Sequence, residues 1–405
     1  MAQTKSLDDN IRLGDDATKV FKIAGGIGVV FLLVSFGLGF TAGDKLKQFL
    51  HSYLLAYIFV LSITLGMLWW VALQHLVNAK WSIVIRRVAE LFASNVALMA
   101  LLALPLLVPI VLGNGSLYEW ANPTVVAADA ALKAKSSYLN AGLFIARFVF
   151  YFGFWTILAR YLFKRSLEQD KTGDRKLVGK MAVASGPGMF WLALTITFFA
   201  FDFIMSVQPH WYSTIFGVYF FAGMVMSVHS TLALILMWLQ KKGRLVRSVN
   251  REHYHDLGKM MFGFVVFWAY IAFSQFMLYW YANIPEETQW YHQRFDGDWK
   301  WVSAVLLFGH FVIPFFGLLS RHVKRSKKLL GFWAVYLLAM QWIDLYWLVM
   351  PSMGTTKLPF SILDVTCLVG IAALCIAGAA FQARNVNLVP TKDHRLERSL
   401  AFENI

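Results

Sequence analysis

Charged side chains are scarce in this sequence: Asp, Glu, Lys and Arg make up 15% of 405 residues, against 58% hydrophobic. A soluble domain carries about a quarter charged residues, so a water-facing shell around one core is excluded as the main architecture. Cysteine is nearly absent too, with Cys367 and Cys375 the whole complement. Eight residues apart on one apolar run, they stand about 12 Å apart along a helix axis, too far to bridge. The sequence offers no Cys-x-x-Cys-His haem attachment and no cysteine set for an iron–sulfur cluster. The first apolar run also lacks the small-residue cleavage pattern of a signal peptide, so it is expected to remain as a span.

What the chain has instead is long apolar runs, ten of them near or above the roughly 20 residues that cross a bilayer. They lie at about 20–40, 50–76, 89–113, 138–162, 190–207, 213–240, 259–283, 299–320, 328–350 and 360–382. The expected fold is an all-α integral membrane protein of about ten transmembrane helices. Residues 1–19 and 383–405 form polar ends. The net charge of +14 would suit nucleic acid, but its placement points to the bilayer. Of the 37 Lys and Arg, 28 fall at the two ends and in the even-numbered loops and 7 in the odd-numbered loops, leaving Arg147 and Arg160 inside spans. By the positive-inside rule both termini are cytoplasmic.

A weak internal repeat is visible. Asp202 precedes Pro209 by seven residues and Asp344 precedes Pro351 by seven, while Lys164-Arg165-Ser166 echoes Lys324-Arg325-Ser326. This suggests two four-helix bundles, about 50–207 and about 213–350, with the first and last spans peripheral; helix-ending prolines and basic residues are common enough to produce the same pattern. The basic stretch 163–189 reads as a loop ending in the turn Gly186-Pro187-Gly188, and 241–258 as a second basic loop holding His253 and His255.

Ionisable groups inside spans are costly and so are candidate sites. Asp202 and Arg147 are expected to pair, and with His51, Tyr53 and Tyr57 they form a candidate quinol or proton site near the outer surface, where imidazole and carboxylate can accept protons. Tyr53, Tyr57, Thr64 and His75 share one face of the second span, a polar stripe that also fits an ordinary aromatic belt. Asp344, Gln341, His310, His229 and Gln275, together with His75, form a candidate proton path. A haem held by His229 and His310 is weighed and set below plain hydrogen bonding; Arg160 reads as a cation that reaches for the interface.

The run Phe201-Asp202-Phe203-Ile204-Met205-Ser206, followed by Pro209-His210-Trp211-Tyr212-Ser213-Thr214-Ile215-Phe216-Gly217-Val218-Tyr219, resembles the NrfD-like, quinone-binding membrane subunits of bacterial alternative complex III. Leu73-Gln74-His75 with Trp81-Ser82 and Arg86-Arg87, and Trp280-Tyr281-Ala282-Asn283-Ile284-Pro285-Glu286-Glu287, resemble the same family. The resemblance implies a ten-helix relative of the polysulfide reductase membrane subunit in a bacterial inner-membrane quinol oxidoreductase. It implies a quinone or quinol ligand, menaquinone or ubiquinone. The implied partners are a second NrfD-like membrane subunit, an iron–sulfur protein, haem c subunits and, further out, a terminal oxidase. Electrons then pass to the partners, since the sequence carries no haem, iron–sulfur or flavin motif of its own. Two other classes stay open: a proton-coupled secondary transporter, which lacks Gly/Pro-interrupted helices at matching depths, and a structural anchor for redox subunits.

Overall fold

The computed structural model describes residues 8–40 and 45–404. Among them there is no strand, and each apolar run is helical, as it must be where lipid offers the backbone no partner. The ten spans are Asp15–Gly39, Lys45–Leu76, Ile83–Val111, Ala141–Thr172, Lys176–Val207, Phe216–Lys241, Arg251–Ala282, Trp299–Leu319, Lys327–Met353 and Ile362–Ala383. They are numbered first to tenth below. This is a multi-pass, all-helical membrane architecture.

The second span is the centre of the molecule: from Phe49 to Ala72 only Phe59 and Ile63 are not buried. Around it the third, fourth and fifth spans form one group and the sixth to ninth another, while the first and tenth spans pack against each other and against the second. The two groups meet closely at Gly66. A Cβ there would stand 2.2 Å from Val228 Cγ2, so no larger residue fits between the second and sixth spans.

Helix ends depart from the expected loops. The stretch 163–189 is helical apart from a break at Gly173–Arg175, and Gly186-Pro187-Gly188 lies inside the fifth span. Lys, Glu, Gln and Leu are good helix formers that continue a span past the bilayer. Pro187 faces outward and Gly188 serves close packing, since a Cβ there would touch Leu158 Cδ1 at 3.2 Å. The actual stop is Gly173, with φ of 72°, whose N–H closes onto the Gln169 carbonyl. The seventh span likewise starts early, capped by Asn250 and His253 in a reciprocal box. His253 Nε2 contacts the Trp81 carbonyl at 3.1 Å, which gives this histidine a structural use.

Two spans are irregular. The third breaks at Ser94–Asn95 and at Ala103, just before Pro105. The eighth carries a π-helical stretch, Leu306–Val312, running up to Pro314. These interruptions occupy different places in the two groups. At the face carrying the chain ends, the segment after the tenth span folds back: Leu388 N–H bonds to the Ile11 carbonyl at 2.7 Å, Ser399 Oγ to that of Trp81 at 2.6 Å, and Asn250 Nδ2 to that of Phe402 at 2.8 Å.

Candidate functional site

Asp344 is fully buried near the end of the ninth span, and its carboxylate is held by neutral donors. It accepts from the Tyr219 hydroxyl on the sixth span and, at 3.3 Å, from Trp268 Nε1 on the seventh. Trp268 in turn stacks on His310, centroid to centroid 3.9 Å. His310 sits in the π-helical stretch, is wholly buried, and finds no hydrogen-bond partner for either ring nitrogen among the described residues. Widened turns of this kind recur at functional sites because they displace a side chain from the regular helical lattice.

Tyr219 and Trp268 also wall a cavity of about 610 Å³. Gln275, Phe276, Tyr291 and Trp347 complete much of its lining. Half of its lining residues are aromatic and Lys300 is its one cation among the described residues, and its volume falls in the range of small-molecule sites. Gln275 is oriented by its neighbours: Oε1 accepts from Ser213 Oγ at 2.9 Å and Nε2 donates to the Tyr291 hydroxyl at 3.2 Å. The arrangement therefore sets a buried carboxylate behind a tyrosine hydroxyl on the wall of an aromatic chamber. Gln341, on the same span as Asp344, lies against Gly223 and leaves Oε1 without a partner among the described residues. His229 gives Nδ1 to the Val225 carbonyl at 2.8 Å, and its Nε2 is likewise unpartnered among them.

The other group of spans brings Asp202 and Arg147 together, as their charges require. Arg147 Nε and the second guanidinium nitrogen reach the two carboxylate oxygens at 2.8 and 2.9 Å, and the Tyr151 hydroxyl adds a third contact at 2.9 Å. The guanidinium also lies 3.9 Å from the centre of the Tyr138 ring. Asp202 is thus held by a bidentate cation, the strongest common carboxylate partner.

His51, Tyr53 and Tyr57 bond elsewhere. His51 Nε2 meets Ser352 Oγ at 3.0 Å and Nδ1 the Lys47 carbonyl at 2.8 Å. Tyr53 donates to the Leu102 carbonyl at 2.8 Å and Tyr57 to that of Met99 at 3.0 Å, both on the interrupted third span. Only Tyr57 comes near the Asp202 cluster, its ring 6.4 Å from that of Phe203.

His75 belongs not to the Asp344 group but to a separate charged network. Its Nε2 lies 3.9 Å from Glu90, which also binds Arg86 at 3.2 Å and Arg87 at 2.8 Å. Arg87 reaches Asp170, and Arg86 reaches Asp393 beyond the tenth span. Burial alone would raise the Asp393 pKa, but hydrogen bonding from Arg395 and the charges of Arg86 and Arg395 hold it below the usual carboxylate range. Glu90 at three and four residues from the two arginines is the one signal for this network in the sequence.

A residue with no signal in the sequence is Arg294, on a short helix between the seventh and eighth spans, Pro285–Phe295. It is wholly buried, and burial pulls its pKa down. Its guanidinium lies 3.4 Å from the Trp290 ring centre and donates to the Trp347 and Leu348 carbonyls at 3.2 and 3.0 Å. A cation here satisfies the carbonyl end of the ninth span, one turn from Asp344.

Compared with protein-family models and with curated proteins, the chain finds no match.

Proposed function

We propose that this chain is a membrane subunit of a respiratory quinol oxidoreductase in a bacterial inner membrane, contributing a quinone-handling chamber and a proton path. The reading rests on its resemblance to NrfD-like subunits of alternative complex III. One observation carries it further: Tyr219, on the wall of the 610 Å³ chamber, donates its hydroxyl to the buried Asp344 behind it. Quinol oxidation delivers two protons and two electrons, and menaquinone and ubiquinone both present a flat ring with oxygen at each end. Aromatic walls suit such a ring, and Gln275, Tyr291 and Tyr219 supply groups that orient its oxygens. Asp344 takes up a proton through the Tyr219 hydroxyl. Trp268 Nε1–H can only donate, so it orients the carboxylate and does not relay. The free acceptor atoms of Gln341, His310 and His229 continue a polar route through the sixth, eighth and ninth spans.

Electrons go to partners: a second NrfD-like subunit, an iron–sulfur protein, haem c subunits and a terminal oxidase. Both termini face the cytoplasm by the basic asymmetry of the loops. Asp202, clamped by Arg147, holds its spans together in this reading, and His51, Tyr53 and Tyr57, which bond elsewhere, do not join it in a site.

Gentle detergent extraction followed by haem and iron assay of whatever co-purifies tests the assembly, and haem c together with iron–sulfur protein is expected. In that assembly reconstituted into proteoliposomes, Asp344→Asn is expected to lower proton release or uptake per electron. A lone chain without redox partners, or an Asp344→Asn complex with unchanged proton stoichiometry and turnover, defeats the proposal.

A further inference from the structure

On the half of the molecule that carries the chain ends, an open groove of about 890 Å³ runs between the first, third, fourth and tenth spans. Its floor is built from small side chains, among them Gly25, Gly26, Ala97 and Ala377. A Cβ placed on Gly26 would meet nothing within 4 Å, so the slot beside it is open. From Leu374 to Gln382 the tenth span lines the groove for about 12 Å of helix, comparable with one leaflet's share of about 15 Å of hydrocarbon.

The mouth has the opposite chemistry. Lys22, Arg160 and Lys164 line it and are exposed. Arg384 lies beside it against two lining rings, its guanidinium 3.8 Å from the centre of the Phe381 ring and 5.3 Å from that of Phe21. Among the described residues no Asp or Glu lines the groove, and none of these four cations forms an ion pair with one. An uncompensated cation on a lipid-facing span is costly, and four converging on one apolar slot call for an anion with a hydrocarbon tail. An apolar helix of a partner would leave all four without a counter-charge.

We infer that this groove is a binding site for an anionic phospholipid, its phosphate held by Lys22, Arg160, Lys164 and Arg384 and an acyl chain laid along the glycine and alanine floor. The site is independent of the redox reading. The test takes the full chain, extracted in mild detergent with whatever accompanies it, delipidates it, and exposes it to mixed micelles of phosphatidylglycerol or of phosphatidylethanolamine. Retained lipid is then counted by native mass spectrometry.

Preferential retention of phosphatidylglycerol is expected. It should weaken about five-fold for each cation removed, and about a hundred-fold in the Lys22→Gln/Arg160→Gln/Lys164→Gln variant. Gly26→Leu keeps every charge and fills the slot, and it should lose retention while migrating as a folded species in size exclusion. A photoreactive phosphatidylglycerol should label the first, fourth and tenth spans. Equal retention of both lipids, retention unchanged in the triple variant and in Gly26→Leu, competition by inorganic phosphate as strong as by lipid, or label transferred to a partner polypeptide seated in the groove would each overturn the assignment.

Discussion

Asp202 and Asp344 occupy matching places, each near the end of a span that finishes in a 3₁₀ turn ahead of or through a proline, yet their surroundings differ in kind. Both accept from a tyrosine, Tyr151 in one case and Tyr219 in the other. The second partner separates them: Arg147 clamps Asp202, whereas Asp344 has an indole N–H. The guanidinium ties Asp202 to the fourth span by two parallel hydrogen bonds. Asp344 meets only neutral donors among the described residues. The same position in two groups of spans can therefore serve as a strut in one and as a proton-exchanging group in the other.

The widest gap between the two should appear on removing a partner. Arg147→Met strands a buried carboxylate and should destabilise the first group of spans by about 3–5 kcal/mol. Adding Asp202→Asn should restore most of that loss. A melting series in detergent in which the single variant matches wild type would erase the contrast. Next in size, Tyr219→Phe removes a hydrogen bond to a carboxylate, worth about 1.5–3 kcal/mol, and leaves the cavity wall in place. Coupled proton movement should fall in this variant more than turnover does, as read in proteoliposomes with simultaneous pH and redox recording.

A third carboxylate sharpens the comparison from outside the spans. Asp393, like Asp202, is paired with arginine, and its pKa is depressed on folding. Its contribution is therefore present above the ordinary carboxylate range and is lost only as pH falls through the depressed value. Asp393→Asn should lower the melting temperature at neutral pH and converge on wild type in strong acid. Parallel curves at every pH would remove charge pairing as the reason. Smallest of all, Asp344→Asn keeps an oxygen for the Trp268 N–H, while its new NH₂ can donate to the Tyr219 hydroxyl, which accepts as well as donates. It should therefore change stability by less than about 1 kcal/mol while altering proton stoichiometry. A loss of folding as large as that of Arg147→Met would make Asp344 a second strut.

The ten spans are legible because apolar runs of bilayer length have few other uses. Helix ends are not, since Lys164–Thr172 and Lys176–Val183 are polar or mixed by composition and helical by propensity. The Asp202–Arg147 pair is legible because two opposite charges inside spans have strong reason to meet. Tyr53 and Tyr57 are legible as one helix face and His51 as the mouth of the same span, but their partners are not: those of the tyrosines depend on where the third span breaks, and His51 meets Ser352 of the ninth. Arg294 escapes detection because the carbonyls it bonds belong to Trp347 and Leu348, dozens of residues away, and the Glu90 network shows only its local arginines, since Asp170 and Asp393 lie far along the chain. His310 is visible as a buried imidazole, whereas the π-helical turn that sets it beside Trp268 has no signature stronger than the nearby Gly309 and Pro314.

The breaks in the third span bear on how the protein is made. At the second break Leu106 N–H turns to the Ala103 carbonyl, and the Leu102 carbonyl is taken up by Tyr53 from the neighbouring helix. In hydrocarbon an unsatisfied carbonyl costs several kcal/mol, so the third span alone is a poor guest for the bilayer. It is expected to leave the insertion machinery alongside the second span, as a helical hairpin already hydrogen-bonded across its two arms. Tyr53→Phe should then show itself during biogenesis, as slower or incomplete insertion of the hairpin.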